Sequence, residues 1–145
     1  MKGMSLTKSY HCIYDTHYHV VFPVKYRKAL LDVNVGKAIR EIAVEIEARY
    51  EIAFEELGAD NDHIHILCSF HPKISGGDFV RIFKSLTARE LFKRFPELRK
   101  ELWGGEFWSD GYYVATVSNR GNWKVVEQYI KNQGKTTDQV QLRIF

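Results

Sequence analysis

From Thr16 to Lys25 apolar and polar side chains alternate in a run rich in β-branched and aromatic residues, which predicts a strand closing near Pro23. The period then lengthens. Val35, Ile39, Ile42, Ala43, Ile46 and Tyr50 recur at helical spacing over 32–50, with Asp32 or Asn34 placed to cap the helix. Two more strands are predicted at 51–57 and 63–70, joined by the turn Gly58-Ala59-Asp60-Asn61. A second helix over 77–95 turns Phe79, Ile82, Phe83, Leu86 and Leu91 inward and Lys84, Arg89, Lys93 and Arg94 outward, until Pro96 breaks it. After a link containing Trp103-Gly104-Gly105, residues 112–117 alternate as a short strand. The order β-α-β-β-α-β is that of an α+β, ferredoxin-like (RRM-like) antiparallel sheet. A last helix over 121–134, ended by Gly134, is an addition to it.

At 145 residues, 45% apolar and 27% charged, the chain reads as a single globular domain over 1–145 that needs no disulfides. Residues 1–9 are expected to be loosely held, and 135–145 form a tail with no assigned role. The net charge of +3 permits a nucleic-acid partner without demanding one. No signal-peptide pattern and no membrane-spanning run are seen, so a cytoplasmic protein with no membrane partner is expected. Cys12 and Cys68 stand far apart without a metal-binding spacing and read as small buried hydrophobes.

The candidate chemistry lies in Asp62-His63-Ile64-His65-Ile66-Leu67. Side chains two apart on a strand point the same way, so His63 and His65 present two imidazoles side by side while Ile64 and Ile66 face the opposite side. Neutral imidazole is a common ligand of divalent metals. Asp62 is placed to orient one ring, or is simply a turn residue. In the last helix Tyr129 and Gln133 stand four apart and share a face, which sets a phenol beside a carboxamide that could add a third ligand. His17-Tyr18-His19 repeats the histidine spacing. If the first and third strands are central neighbours, His19 lies beside the pair as a supporting residue rather than a ligand.

Five blocks in order, YHVVFPVKYRK, DHIHIL, FVRIFKSLTARELFKRFP, LWGGEFWSDGYYVATVS and YIKNQ, carry a resemblance to a known family. From about Tyr18 to Gln133 the chain resembles the small single-tyrosine HUH transposases of bacterial and archaeal insertion sequences (TnpA type). The resemblance implies a metal-dependent nickase and strand transferase for single-stranded DNA folded into hairpins at the element's ends. His63, His65 and Gln133 match its metal ligands and Tyr129 its nucleophile. Nitrogen and oxygen donors of this kind suit Mn²⁺ or Mg²⁺. Tyr129 would join the 5′ phosphate covalently and release a 3′-hydroxyl. The relatives form homodimers whose helices cross, so that Tyr129 and Gln133 of one subunit complete the other's site, with Asn119, Arg120 and Gly121 as the hinge.

DNA contacts are expected from Lys25, Arg27 and Lys28 after the first strand and from Lys84, Arg89, Lys93 and Arg94 on the second helix. Trp103, Phe107, Trp108, Tyr112 and Tyr113 could stack unpaired bases, although most of them suit the core or a dimer seam better. Other readings are a host-domesticated relative acting on chromosomal repeat hairpins, a non-enzymatic RRM-shaped binding module, and a structural dimerisation domain. The second fits poorly, because DHIHIL carries histidines where stacking rings are expected.

Overall fold

The computed structural model describes residues 6–9 and 11–117. A hairpin of β1 (Thr7–Ser9) and β2 (Cys12–Tyr14) comes first, with Thr7 opposite Tyr14. Part of the start expected to be loose is therefore paired, while residues 1–5 lie outside the described ones. The main sheet holds β3 (His17–Pro23), β4 (Ile52–Ala59), β5 (His63–Phe70) and β6 (Tyr113–Val117) in the order β4-β5-β3-β6, every neighbour antiparallel. Helix α1 (Val33–Arg49) connects β3 to β4, α2 (Gly76–Arg94) follows β5, and a short α3 (Leu98–Glu101) precedes β6. The helix expected over 121–134 and its hinge at 119–121 lie outside the described residues.

Local chemistry sets the ends of these elements. The Asp32 carboxylate accepts from Val35 N–H at 2.8 Å and the Ser75 hydroxyl from Asp78 N–H at 3.0 Å, each taking one amide that the first helical turn leaves unpaired. Helix α2 carries Asp78 in its first turn and Lys93 and Arg94 in its last, matching the helix dipole, and it stops before Pro96. Strand β4 runs two residues further than its glycine suggested, since Gly58 and Ala59 pair with His65 and Ile64. The turn is confined to 60–62 and closed by Asp60 N–H donating to the His63 carbonyl at 2.9 Å.

Both helices lie against one face of the sheet. Val20 and Phe22 of β3, Phe54 and Leu57 of β4, and Ile64, Ile66, Cys68 and Phe70 of β5 meet Ile39, Ile42 and Ile46 of α1 and Phe79 and Phe83 of α2 in one cluster. Phe70 stacks on Phe79 with centroids 5.2 Å apart, and Phe22 meets Trp108 edge-on at 4.9 Å. Thr87 was not foreseen as a core residue, whereas Ile82 and Leu86 are only half-buried. Its hydroxyl donates to the Phe83 carbonyl at 2.6 Å and accepts from Trp108 Nε1 at 2.9 Å, so a polar atom sits in the core at no loss. Cys68 is buried in that core, but Cys12 is only partly buried.

The opposite face is buried as well. His17, His19, Val21, Glu55, His63, His65, Leu67, Ser69 and Val117 are all shielded from solvent, yet none belongs to the cluster shared with the helices. Every residue of β5 is consequently buried. Glu55 reaches this face through a bulge: Phe54 pairs with Cys68 and Glu56 with Leu67, leaving Glu55 as the extra residue.

The centre of the helix-side core is Phe83, fully buried and packed on Phe22, Phe54, Phe79 and Trp108. Phe83→Ala should lower stability by about 3–5 kcal/mol. Val44→Ala on the exposed side of α1 should change it by less than about 0.5 kcal/mol, both read from urea denaturation.

Candidate active site

Pairing of β3 with β5 places Val21 opposite His65 and His19 opposite Leu67, so His19, His63 and His65 share the face away from the helices. The rings of His63 and His65 stand with centroids 4.7 Å apart at 76°, and that of His19 lies 6.0 Å from His65 and nearly parallel to it. Tyr113 of β6 meets His19 edge-on at 5.9 Å. The two rings of the DHIHIL strand are thus neighbours, both at most 2% exposed.

His63 is held from one side. Its Nδ1 lies 2.7 Å from Asp62 Oδ1, while Asp62 Oδ2 accepts from Arg27 Nε at 3.0 Å. Burial works to raise the Asp62 carboxyl, but the hydrogen bonds to His63 and Arg27 outweigh it and hold the group below its ordinary value. An ionised Asp62 can only accept, so Nδ1 of His63 is the donor in this bond and Nε2 is the nitrogen left to face a ligand. That Nε2 is buried without a hydrogen-bond partner among the described residues, and the Asp60 carboxylate stands 3.8 Å away. Burial pushes His65 down to about 2, helped by His63 and His19, and pushes His19 down to about 4. At neutral pH these two imidazoles carry no charge, the form in which the ring coordinates a metal. Among the described residues no group of three or more His, Cys, Asp or Glu side chains is arranged to hold a metal ion. Tyr129 and Gln133, the remaining expected members, lie outside the described residues.

The structure distributes the expected DNA-binding cations unevenly. Lys25 donates to Glu106 at 2.9 Å, Lys28 lies 3.8 Å from Glu101, and Arg94 bonds Glu41 at 2.8 Å, all at exposed positions where an ion pair is worth little. Arg27 is committed to Asp62 and belongs with the histidines. Arg89 and Lys93 are exposed and make no ion pair among the described residues. Lys84 corrects the expectation of an outward-facing side chain. It lies half-buried in a cleft of about 470 Å³ between α2 and the segment 105–112, its Nζ 5.0 Å from the centroid of Phe22 and 5.7 Å from that of Tyr112. There it donates to the carbonyls of Ser109 and Gly111 at 2.5 and 3.2 Å, and burial pulls it down to about 8. Of the aromatic candidates, Phe107 and Trp108 are core residues, whereas Trp103, Tyr112 and Tyr113 remain exposed.

Residues 12–133 match the family described as "Transposase IS200 like". The chain belongs to that family. The match spans His63 and His65 and runs through Tyr129 to Gln133. Relatives include the ISDra2 transposase TnpA of Deinococcus radiodurans, 32% identical over 121 residues that cover 83% of this chain and 86% of the relative. The transposase for insertion sequence element IS200 of Salmonella typhimurium is 31% identical over 123 residues, covering 85% and 80%. Among solved structures, a putative transposase from Deinococcus radiodurans superimposes with a TM-score of 0.70 at 31% identity over 88% of this chain and 97% of its own. A REP-associated tyrosine transposase bound to a REP hairpin shares the fold, with a TM-score of 0.60 at 12% identity over 90% and 72%. No helix among the described residues is long and apolar enough to cross a membrane.

This transposase carries a second buried polar group that the sequence did not reveal. His17 sits between two carboxylates, Nδ1 at 2.5 Å from Glu55 and Nε2 at 2.7 Å from Asp15. Burial works to lower His17, but the two carboxylates raise it above its ordinary value; burial raises Glu55, against the pull of His17. The signal available was weak: two successive glutamates in a strand that otherwise alternates. Because Glu55 is buried, His17→Ala would strand a carboxylate and should cost about 3 kcal/mol. Adding Glu55→Gln should recover part of that loss. Equal stability of the two variants by urea denaturation would contradict the pairing.

Proposed function

We propose that the chain is a metal-dependent transposase that nicks and rejoins single-stranded DNA at hairpin-bearing element ends, acting in the cytoplasm. The observation that carries this is the pair of buried, adjacent imidazoles on β5, one of them oriented by Asp62 with its Nε2 buried and without a hydrogen-bond partner among the described residues. Such a donor set fits a divalent ion, with Gln133 as the third protein ligand and His19 as a supporting ring. Bound there, Mg²⁺ or Mn²⁺ would supply Lewis-acid polarisation of a phosphate P–O bond. In this reading residues 1–145 form one domain, a ferredoxin-like sheet carrying an appended helix at 121–134.

The remaining chemistry belongs to Tyr129. A phenol has a pKa near 10 and is a weak nucleophile unless its proton is drawn off. Its oxygen attacks the scissile phosphorus in line, the bond to the 3′ oxygen breaks, and the proton lost by the phenol is matched by the one gained at the released 3′-hydroxyl. The 5′ phosphate stays on Tyr129 as a diester. Attack by a different 3′-hydroxyl reverses the step and joins new strands, so no nucleotide cofactor is needed. Two copies exchanging the helix would let Tyr129 and Gln133 of one complete the site of the other. Arg89 and Lys93 are the cations best placed to meet phosphate directly, with Lys25, Lys28 and Arg94 released from exposed ion pairs as DNA approaches.

Incubation with labelled hairpin DNA from the flanks of the gene and Mn²⁺ should give a retarded, protease-sensitive adduct on a denaturing gel. Tyr129→Phe and removal of the metal with EDTA should each abolish it. An adduct that persists in Tyr129→Phe would assign the nucleophile elsewhere.

A further inference from the structure

At the end of β3, next to the edge where Pro23 pairs with His63, the chain makes a single 3-10 turn at Lys25–Arg27. Tyr26 and Arg27 occupy the left-handed region there, with φ of 60° and 52°. Bulky side chains adopt it rarely, and two in succession demand local support. That support is present: Lys25 N–H donates to the Phe107 carbonyl at 2.8 Å and Arg27 N–H to the Val24 carbonyl at 2.9 Å. The turn has a consequence for direction. It sends the Arg27 guanidinium inward to Asp62, and hence to His63, while the adjacent Tyr26 ring is left 53% exposed.

Trp103 lies beside that ring and is 79% exposed, the largest aromatic surface among the described residues. The two rings are nearly parallel, 24° apart with centroids at 6.3 Å, and Tyr26 Oη lies 3.5 Å from the Trp103 carbonyl. Lys25 Nζ stands 5.7 Å from the Tyr26 centroid, and Lys28, two residues on from Tyr26, lies 3.8 Å from Glu101, two residues before Trp103. Among the described residues both lysines pair with exposed glutamates, Glu106 and Glu101, which a phosphate can displace. Tyr112 is also exposed beside a lysine, but Lys84 there is half-buried and bonded to the carbonyls of Ser109 and Gly111.

We infer that the Tyr26–Trp103 pair is a stacking platform for unpaired bases of the DNA strand leading to the His63–His65 site. The inference rests on the reading of the chain as a single-strand nickase and adds the residues that hold the strand. Stacked aromatic faces accept any base, and flanking cations track the backbone, the combination used for single strands rather than duplex. The Arg27–Asp62–His63 chain ties the platform rigidly to the histidines, so a base held on it fixes where the next phosphates fall.

The test is fluorescence anisotropy with a labelled mixed-sequence single strand of about 16 nucleotides and the same sequence as duplex. Trp103→Ala and Tyr26→Ala should each weaken single-strand binding about tenfold, Trp103→Phe should keep most of it, and duplex binding should not change. Both side chains being exposed, circular dichroism should show every variant folded. Unchanged single-strand affinity in both alanine variants, or an equal loss on duplex, would overturn the platform. So would a loss that sedimentation traces to separation of two copies, since the patch would then be covered by a second chain. If the wild-type protein binds duplex and ignores the single strand, the nickase reading fails with it. Binding by wild type that the variants match sinks the platform alone.

Discussion

The antiparallel ladder between β3 and β5 fixes what the rest of the molecule can do. With Val21 opposite His65, the even-numbered apolar residues of both strands turn to the helices and the histidines turn away. A slip of one residue would put His63 and His65 into the phenylalanine cluster and Ile64 and Ile66 on the far face. The two inner strands cannot make that exchange without burying imidazoles against α1 and α2. The hydrophobic core therefore enforces the geometry of the site from the opposite face of the sheet.

Electrostatics completes what register begins. A buried imidazole offers a lone pair only if it is neutral and its other nitrogen is occupied. Asp62 meets the second condition for His63, and it remains ionised because Arg27 shares it. Burial meets the first for His65 and His19. The same face also carries the opposite arrangement at His17, where two carboxylates raise the imidazole's affinity for a proton. Two kinds of histidine thus occur two positions apart on β3, and their carboxylate neighbours, not their spacing, distinguish them.

Much of this was legible in the sequence because it depends on local rules. Asp32 caps α1, α2 ends before Pro96, and the alternation of DHIHIL puts both rings on one face. The features that were missed depend on tertiary partners. Glu55 reaches the buried face only through a bulge in β4, and Lys84 turns inward because two carbonyls of the segment 105–112 wait for its ammonium. The left-handed turn at Tyr26 and Arg27 has no glycine to announce it, since its cost is met by hydrogen bonds to residues far along the chain. Tyr129 and Gln133 rest on sequence spacing and family membership, lying beyond the described residues.

The central claim is that the two imidazoles of β5 are the seat of a divalent ion, with Asp62 setting the orientation of one. Calorimetric titration of the apo-protein with Mn²⁺ tests it most directly. One ion should bind per chain, binding should vanish in His63→Ala and in His65→Ala, and Asp62→Ala should weaken it about 10–100-fold. Undiminished Mn²⁺ binding in both histidine variants would contradict the account.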